Sequence, residues 1–283
     1  MCKKLAVFLC LGFLIPFVLV SQSRETKLLQ EQLDYVSDES SDCTLEYIST
    51  FENELRATYP ADNYVFFVME FRKGRLYANS GNYTESLPHF KQALEINEKQ
   101  ADVDILIRAA VESWLGYVYS AMGNYDDALL YYNRQLENYK KEFGEDHSET
   151  AMVYNSIADV YSGKGDYDNA LLFYKKALTI CEKVLGPKHL DMTTSYDNIG
   201  RIYYYKGDYD NALLYYSKAL TVREEVLGRR HRDTALSYDV IGIIYQYKSD
   251  YDSALLYLTK ALAIREDTLG TEHPQRNHTI TSE

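Results

Sequence analysis

The chain has 283 residues, of which 46% are hydrophobic, and its formal net charge is −12 at pH 7. This apolar content is ample for a folded core, whereas the negative charge disfavours nucleic acid as a ligand because phosphate groups would be repelled. A neutral or basic protein or peptide is easier to accommodate at such a surface.

Residues 1–23 are predicted to form a secretory signal peptide. Two lysines precede an uncharged run from Leu5 to Val20, and Ser21-Gln22-Ser23 supplies a small-x-small pattern for cleavage. The run is shorter than the ~20 residues that a spanning helix needs, and an uncleaved membrane anchor over residues 5–20 is the alternative. In both cases we expect the rest of the chain outside the cytoplasm, secreted or, in a bacterium, periplasmic, with membrane contact only if the leader is retained.

The following segment, residues 24–66, has an apolar stripe at the spacing of a helix. The stripe consists of Leu45, Tyr47, Ile48, Phe51 and Leu55. We expect a helical cap that packs on the first of the repeats described next.

Most of the remaining chain repeats at an interval of 42 residues. The interval is marked by His147, His189, His231 and His273. Glycines and tyrosines keep the same phase, so that Gly207 and Tyr209 align with Gly81 and Tyr83 of the first copy. Such periodic self-similarity is typical of an array of small structural units, and five copies are detectable.

Each copy contains two segments with helical periodicity. In the fourth copy the apolar faces are Tyr196, Ile199, Gly200 and Tyr203 in the first segment, and Ala212, Leu213, Tyr216, Ala219 and Leu220 in the second. Gly207 lies between them and can adopt the positive φ that a helix C-terminus favours. The sequence therefore predicts a helix–turn–helix in every copy.

This pattern resembles the tetratricopeptide repeat, whose signature is matched by Tyr196, Ile199, Gly200, Tyr203, Gly207, Tyr209, Ala212, Tyr216 and Ala219. The resemblance implies an all-α, right-handed superhelical solenoid with repeats at 67–100, 109–142, 151–184, 193–226 and 235–268, within a repeat region 67–272 that precedes a polar tail, 273–283. The repeat length is similar to that of kinesin light chains. The resemblance implies a non-enzymatic protein–protein interaction scaffold or adaptor without a cofactor.

The recurring histidines are candidate metal ligands, but the predicted geometry disfavours this. Successive repeats place helices about 8–10 Å apart, whereas ligands of one ion lie roughly 2 Å from a single point. We instead expect helix-start residues that accept backbone N–H groups, namely Asp191, Asp233, Thr193 and Thr234. No nucleophile–base pair, phosphate loop or metal spacing stands out, so no catalytic or metal-binding residue is assigned.

By the same resemblance, the first helices line a concave groove. The residues predicted there are Arg72, Arg75, Trp114, Tyr117, Asn155, Asp159, Asn198, Arg201, Tyr204, Tyr205 and Tyr247. Asparagine can bond both backbone N–H and C=O groups, and aromatic rings can contact side chains, so this set favours capture of an extended peptide. The alternative is that these residues form solvated helix faces.

The last copy carries apolar residues without an obvious cap. These are Ala254, Leu255, Leu258, Ala261 and Leu262, and the tail that follows is polar. Since solenoids usually need a polar terminal cap, we expect this edge to self-associate or to dock a partner. Three interpretations remain open: a peptide-binding adaptor outside the cytoplasm, a self-associating structural array, and a sensor or regulatory array separated from a downstream signalling or effector domain.

Overall fold

The computed structural model describes residues 48, 52, 56, 64–99, 105–186 and 188–270. Within these ranges the regular structure is helical: α1 Tyr64–Asn79, α2 Tyr83–Glu98, α3 Ile105–Ala121, α4 Tyr125–Phe143, α5 Ser148–Gly163, α6 Tyr167–Leu185, α7 Met192–Tyr205, α8 Tyr209–Val226, α9 Arg232–Tyr247 and α10 Tyr251–Gly270. The predicted all-α class is confirmed. The predicted leader, the tail and the apolar stripe other than Ile48 lie outside the described residues.

The chain divides into two compact units between Glu142 and Phe143. The first unit contains α1 to α3 and nearly all of α4, and the second contains α5 to α10. In the second unit every helix packs on the next one along the chain. This nearest-neighbour packing is the pattern of a repeat array. None of the helices in the described ranges is long and apolar enough to span a membrane.

Two adjacent residues with different roles make the turn inside the fourth helix pair, α7 and α8. Gly207 adopts φ +73, and its N–H donates to the carbonyl oxygen of Tyr204 at 2.9 Å, which ends α7. Asp208 then caps α8, because its Oδ1 accepts the backbone N–H of Asn211 at 3.2 Å. The predicted turn at Gly207 is therefore confirmed, and its tightness lets α7 and α8 run side by side.

The two helices of the fourth pair approach each other closely at Gly200. A Cβ added there would lie 2.9 Å from ring atoms of Tyr216 on α8. The third pair has Ala158 at the equivalent position, buried in one cluster with Tyr174, the equivalent of Tyr216. A methyl group can therefore be accommodated at this crossing, but there is little room for a larger side chain.

The hydrogen bonds that cap the N-termini of the first helices differ from those predicted. The Nδ1 atom of His147 accepts the N–H of Glu149 at 3.2 Å, and that of His231 accepts the N–H of Asp233 at 3.1 Å. The Thr234 hydroxyl instead donates to the carbonyl oxygen of Gly228 at 2.9 Å. The prediction that aspartate and threonine side chains cap these helices is wrong. In α5 and α9 the imidazole stands at the N-cap position itself, and in α7 Asp191 stands there but its side chain makes no capping hydrogen bond.

A remaining feature of the first unit is a carboxylate in its core. Glu112 of α3 is completely buried and accepts hydrogen bonds from Asn138 Nδ2 at 2.8 Å and from Arg108 Nε at 3.2 Å. Burial raises the pKa of Glu112 although both partners favour the charged form. The two hydrogen bonds thus offset only part of the free-energy cost of burying this carboxylate.

We predict that Gly200→Leu lowers the free energy of unfolding by about 3 kcal/mol, because the side chain must displace Tyr216. Gly200→Ala should be much milder, since a better helix propensity offsets the tight contact. Urea denaturation of both variants checks this expectation. Equal stability of the leucine variant and the natural chain would contradict the helix packing described here.

We predict that His231→Ala lowers the free energy of unfolding by about 1 kcal/mol through loss of the cap. His231→Asn should retain most of the stability, because its side-chain oxygen can accept the same backbone N–H. Thermal and urea unfolding of the two variants side by side provide the measurement. Identical losses in both would mean that the imidazole stabilises α9 by other contacts.

For Glu112 the sign of the pH dependence follows from its raised pKa. A group with a raised pKa in the folded state favours folding at low pH, and this contribution is lost as the pH rises through the folded pKa. From about pH 4 to pH 7, Glu112→Gln should therefore gain stability relative to the natural chain. The exposed Glu137→Gln serves as the control, and parallel profiles for Glu112→Gln and the natural chain would refute the prediction.

Candidate protein-binding surface

In the first unit, three predicted groove residues form one aromatic and cationic cluster. The guanidinium of Arg75 lies 5.3 Å from the ring centroid of Trp114, and the rings of Trp114 and Tyr117 meet edge to face at 5.8 Å. Tyr117 is 45% exposed, and its hydroxyl lies 3.5 Å from that of Tyr83. Arg72, the fourth predicted residue of this unit, is buried. The solvent-facing part of the cluster is therefore Tyr117.

In the second unit, Asp159 and Arg201 join the first helices of the third and fourth pairs. Asp159 Oδ1 accepts hydrogen bonds from the Tyr174 hydroxyl and from Arg201 Nη2, the latter at 3.4 Å. Desolvation raises the pKa of Asp159, and burial raises that of Tyr174. Since Arg201 is already paired with Asp159, its charge is largely compensated before any ligand arrives.

The fourth helix pair, α7 and α8, and the fifth, α9 and α10, each contain an ion pair between an arginine and an aspartate. Arg223 of α8 pairs with Asp197 of α7 and donates to Ser237 Oγ at 2.7 Å. Arg265 of α10 pairs with Asp239 of α9 in the same way. In both pairs an arginine of the second helix thus satisfies a carboxylate of the first helix.

The third pair lacks this arrangement. Asn155 stands at the position of Asp197, and Cys181 stands at the position of Arg223. The Asn155 Oδ1 atom is buried and has no hydrogen-bond partner, and the same is true of Arg201 Nε. Buried polar atoms are normally bonded, and both side chains are only half-buried as a whole, so the third pair has unused hydrogen-bonding capacity next to the solvent-exposed surface.

Beside these groups lies a ladder of tyrosine rings. Tyr167 stacks on Tyr205 at 5.9 Å, Tyr204 meets Tyr247 at 5.4 Å, and Tyr209 stacks on Tyr247 at 5.7 Å. Tyr205 and Tyr247 are 52% and 57% exposed. Hydrogen bonding to Tyr247 raises the pKa of Tyr204 to about 12, so its phenol is neutral at physiological pH. The ladder offers uncharged, amphipathic ring surface.

The structure thus brings together Asp159 with Arg201, and Tyr204 and Tyr205 with Tyr247, while Asn155 and Asn198 are half-buried on α5 and α7. Sequence reasoning did not assign the second-helix residues that complete this surface: Tyr167, Tyr174, Tyr209, Arg223 and Arg265. The recurrence of these residues at constant repeat positions is the signal that could have found them. Among the described residues no group of three or more His, Cys, Asp or Glu side chains could hold a metal ion.

At the end of the second unit the predicted open edge divides into two faces. Ala254 and Ala261 are buried, and Leu258 packs against α9 opposite Gly242. Leu255 and Leu262 are 69% and 53% exposed. The other face of α10, formed by Tyr251, Asp252, Leu255 and Leu262, is called the α10 face below.

Sequence comparison assigns the repeats. A profile of the tetratricopeptide repeat matches residues 107–183, 164–225 and 191–267, which together exceed half of the chain, and a second profile of the same repeat matches residues 71–100. The chain belongs to the tetratricopeptide repeat family. The fold is therefore that of a protein–protein interaction scaffold. Among curated protein sequences, none matches the chain significantly.

Solved structures show the same tetratricopeptide fold. BtubC (BKLC) from P. vanneervenii has 18% identity and a TM-score of 0.66, over 90% of this chain and 97% of BtubC. A putative kinesin light chain with nearly identical repeats from Podosopora anserina has 19% identity and a TM-score of 0.63, over 77% of this chain and 97% of that protein. A Rap protein complexed with Competence and Sporulation Factor has 18% identity and a TM-score of 0.58, over 89% of this chain and 70% of the Rap protein. The predicted similarity to the repeats of kinesin light chains is confirmed at the level of fold.

Proposed function

We propose that this tetratricopeptide array is a non-enzymatic adaptor that captures an extended peptide on its second unit. The proposed surface, called the first-helix face below, is formed by Asn155 and Asp159 of α5 and by Asn198 and Arg201 of α7. The observation that carries the proposal is the buried, unpartnered Oδ1 of Asn155 in the one pair of this unit that lacks the Asp–Arg arrangement. When the half-buried Asn155 side chain turns its amide outward, a backbone N–H of an extended peptide supplies the donor that its oxygen lacks.

The neighbouring residues suit the same ligand. Asn155 and Asp159 are four residues apart on α5, and Asn198 and Arg201 are three apart on α7, so each pair shares a helix face. The contact between Asp159 and Arg201 places the two faces side by side. The half-exposed guanidinium of Arg201 can donate to a peptide carbonyl, and the exposed rings of the tyrosine ladder can contact peptide side chains.

The charge of the chain bears on the partner. A net charge of −12 attracts a basic peptide over a long range and does not repel a neutral one. That a Rap protein of this fold is complexed with Competence and Sporulation Factor supports binding of a partner by such an array. A location outside the cytoplasm, with membrane attachment if the leader is uncleaved, is part of the proposal and rests on residues 1–23.

A self-associating array is the second candidate, and the exposed leucines of the α10 face favour an interaction at that end. A sensor or regulatory array that acts with a separate signalling or effector domain is the third. Both differ from the adaptor in what occupies the first-helix face, because neither requires a peptide there.

We predict that the triple variant Asn155→Ala/Asn198→Ala/Arg201→Ala binds peptides at least about tenfold more weakly, since each lost hydrogen bond costs about 1 kcal/mol. The peptides are selected from a random display library on the full chain, and their affinities are measured by calorimetry. Lys176→Ala/Lys218→Ala, on the second helices α6 and α8, is the matched control. Equal affinities for the triple variant and the natural chain, or a library without binders, would refute the peptide adaptor.

A further inference from the structure

The leucines of the α10 face stand at repeat positions that a neighbouring helix covers on α6 and α8. Leu178 of α6 and Leu220 of α8 stand at the position of Leu262, and both are only 8% exposed, compared with 53% for Leu262. Leu171, at the position of Leu255, is likewise 8% exposed. In the internal pairs, the following first helix covers this apolar surface. On α10, no described helix covers it.

The internal interfaces show which aromatic group covers such a face. Tyr167, the first residue of α6, stacks on Tyr205, the last residue of α7. Tyr209, the first residue of α8, stacks on Tyr247, the last residue of α9. Both α6 and α8 thus begin with a tyrosine that contacts the C-terminal aromatic residue of the next first helix.

An ion pair accompanies each of these ring contacts in the same register. Asp168, directly after Tyr167, accepts a hydrogen bond from Lys206 Nζ. Asp210 accepts one from Lys248 Nζ in the equivalent place. The covering helix therefore ends in an aromatic residue followed directly by lysine at both interfaces.

α10 begins with the same two residue types. Tyr251 is 69% exposed, and Asp252 is exposed beside it. No lysine lies opposite Asp252 in the described ranges. The α10 face thus displays an aromatic ring, a carboxylate and two leucines in the register that elsewhere recognises one kind of helix.

We propose that the α10 face docks an amphipathic helix of a second polypeptide, and that this helix carries an aromatic residue followed directly by lysine at its C-terminal end. The leucines supply apolar burial, while the ring contact and the pairing with Asp252 fix the register and direction of the helix. This interaction is independent of peptide capture on the first-helix face.

Other occupants from this chain fit less well. The corresponding residues of α1 are Asn79 and Ser80, so the first repeat of another copy lacks both the ring and the lysine. α1 is also engaged, because Lys73 pairs with Glu52. Residues 271–283 contain no Phe, Trp, Tyr or Lys. The aromatic–lysine pairs of α7 and α9 are already bound to α6 and α8.

The test uses the full chain and a fluorescent synthetic peptide of residues 231–248, which reproduces α9 and Lys248. We expect saturable binding by fluorescence anisotropy, at least about tenfold weaker for Asp252→Lys and lost for Leu255→Asp/Leu262→Asp. A peptide with Lys248→Asp should bind Asp252→Lys better than it binds the natural chain. Since both leucines are exposed, the double variant should retain the natural melting temperature.

Glu137→Lys, with the same change of net charge on α4, is the matched control and should bind normally, as should the triple variant of the first-helix face. No binding up to ~1 mM peptide, or binding that Asp252→Lys does not alter, would overturn the proposal. Sedimentation of the full chain tests whether a second copy of this chain occupies the α10 face. Dimers that Leu255→Asp/Leu262→Asp dissociates would assign the face to a second copy and would also overturn the proposal.

Discussion

A single helix pair in this array cannot bury its apolar residues by itself, and the rest of the structure depends on that constraint. Each second helix turns one face toward its own first helix and another toward the next repeat. The exposures of equivalent leucines measure the consequence, since Leu220 is 8% exposed and Leu262 is 53% exposed. Stability in such an array is the sum of contacts between neighbours, and a face without a neighbour remains available for binding.

The same constraint places polar groups at the interfaces between repeats. Asp159 and Arg201 belong to successive repeats, as do Asp210 and Lys248. Exposed ion pairs contribute little stability, but their fixed register specifies which helix fits beside which. The apolar contacts therefore supply most of the attraction, and the ion pairs and tyrosine contacts select the partner helix.

The binding that we propose for the first-helix face rests on a departure from the repeat. In the fourth and fifth pairs an arginine satisfies the aspartate of the first helix, which leaves no unfilled hydrogen-bonding capacity at that point. In the third pair Asn155 and Cys181 replace those residues, and a buried acceptor is left without a partner. A copied scaffold thus provides stability, while a local substitution changes the hydrogen bonding at the position where we propose that a ligand is recognised.

The sequence by itself determined the helix pairs, the turns and the family, because periodicity and glycine position depend on local backbone geometry that every copy repeats. It also predicted Asn155, Arg201 and the tyrosines as surface residues. Only the tertiary structure decided that imidazoles cap α5 and α9, that Arg201 is paired with Asp159, and that Leu255 and Ala254 on one helix differ in exposure. These features depend on contacts between residues distant in sequence or on the rotation of a helix against its neighbour, which a repeat pattern does not specify.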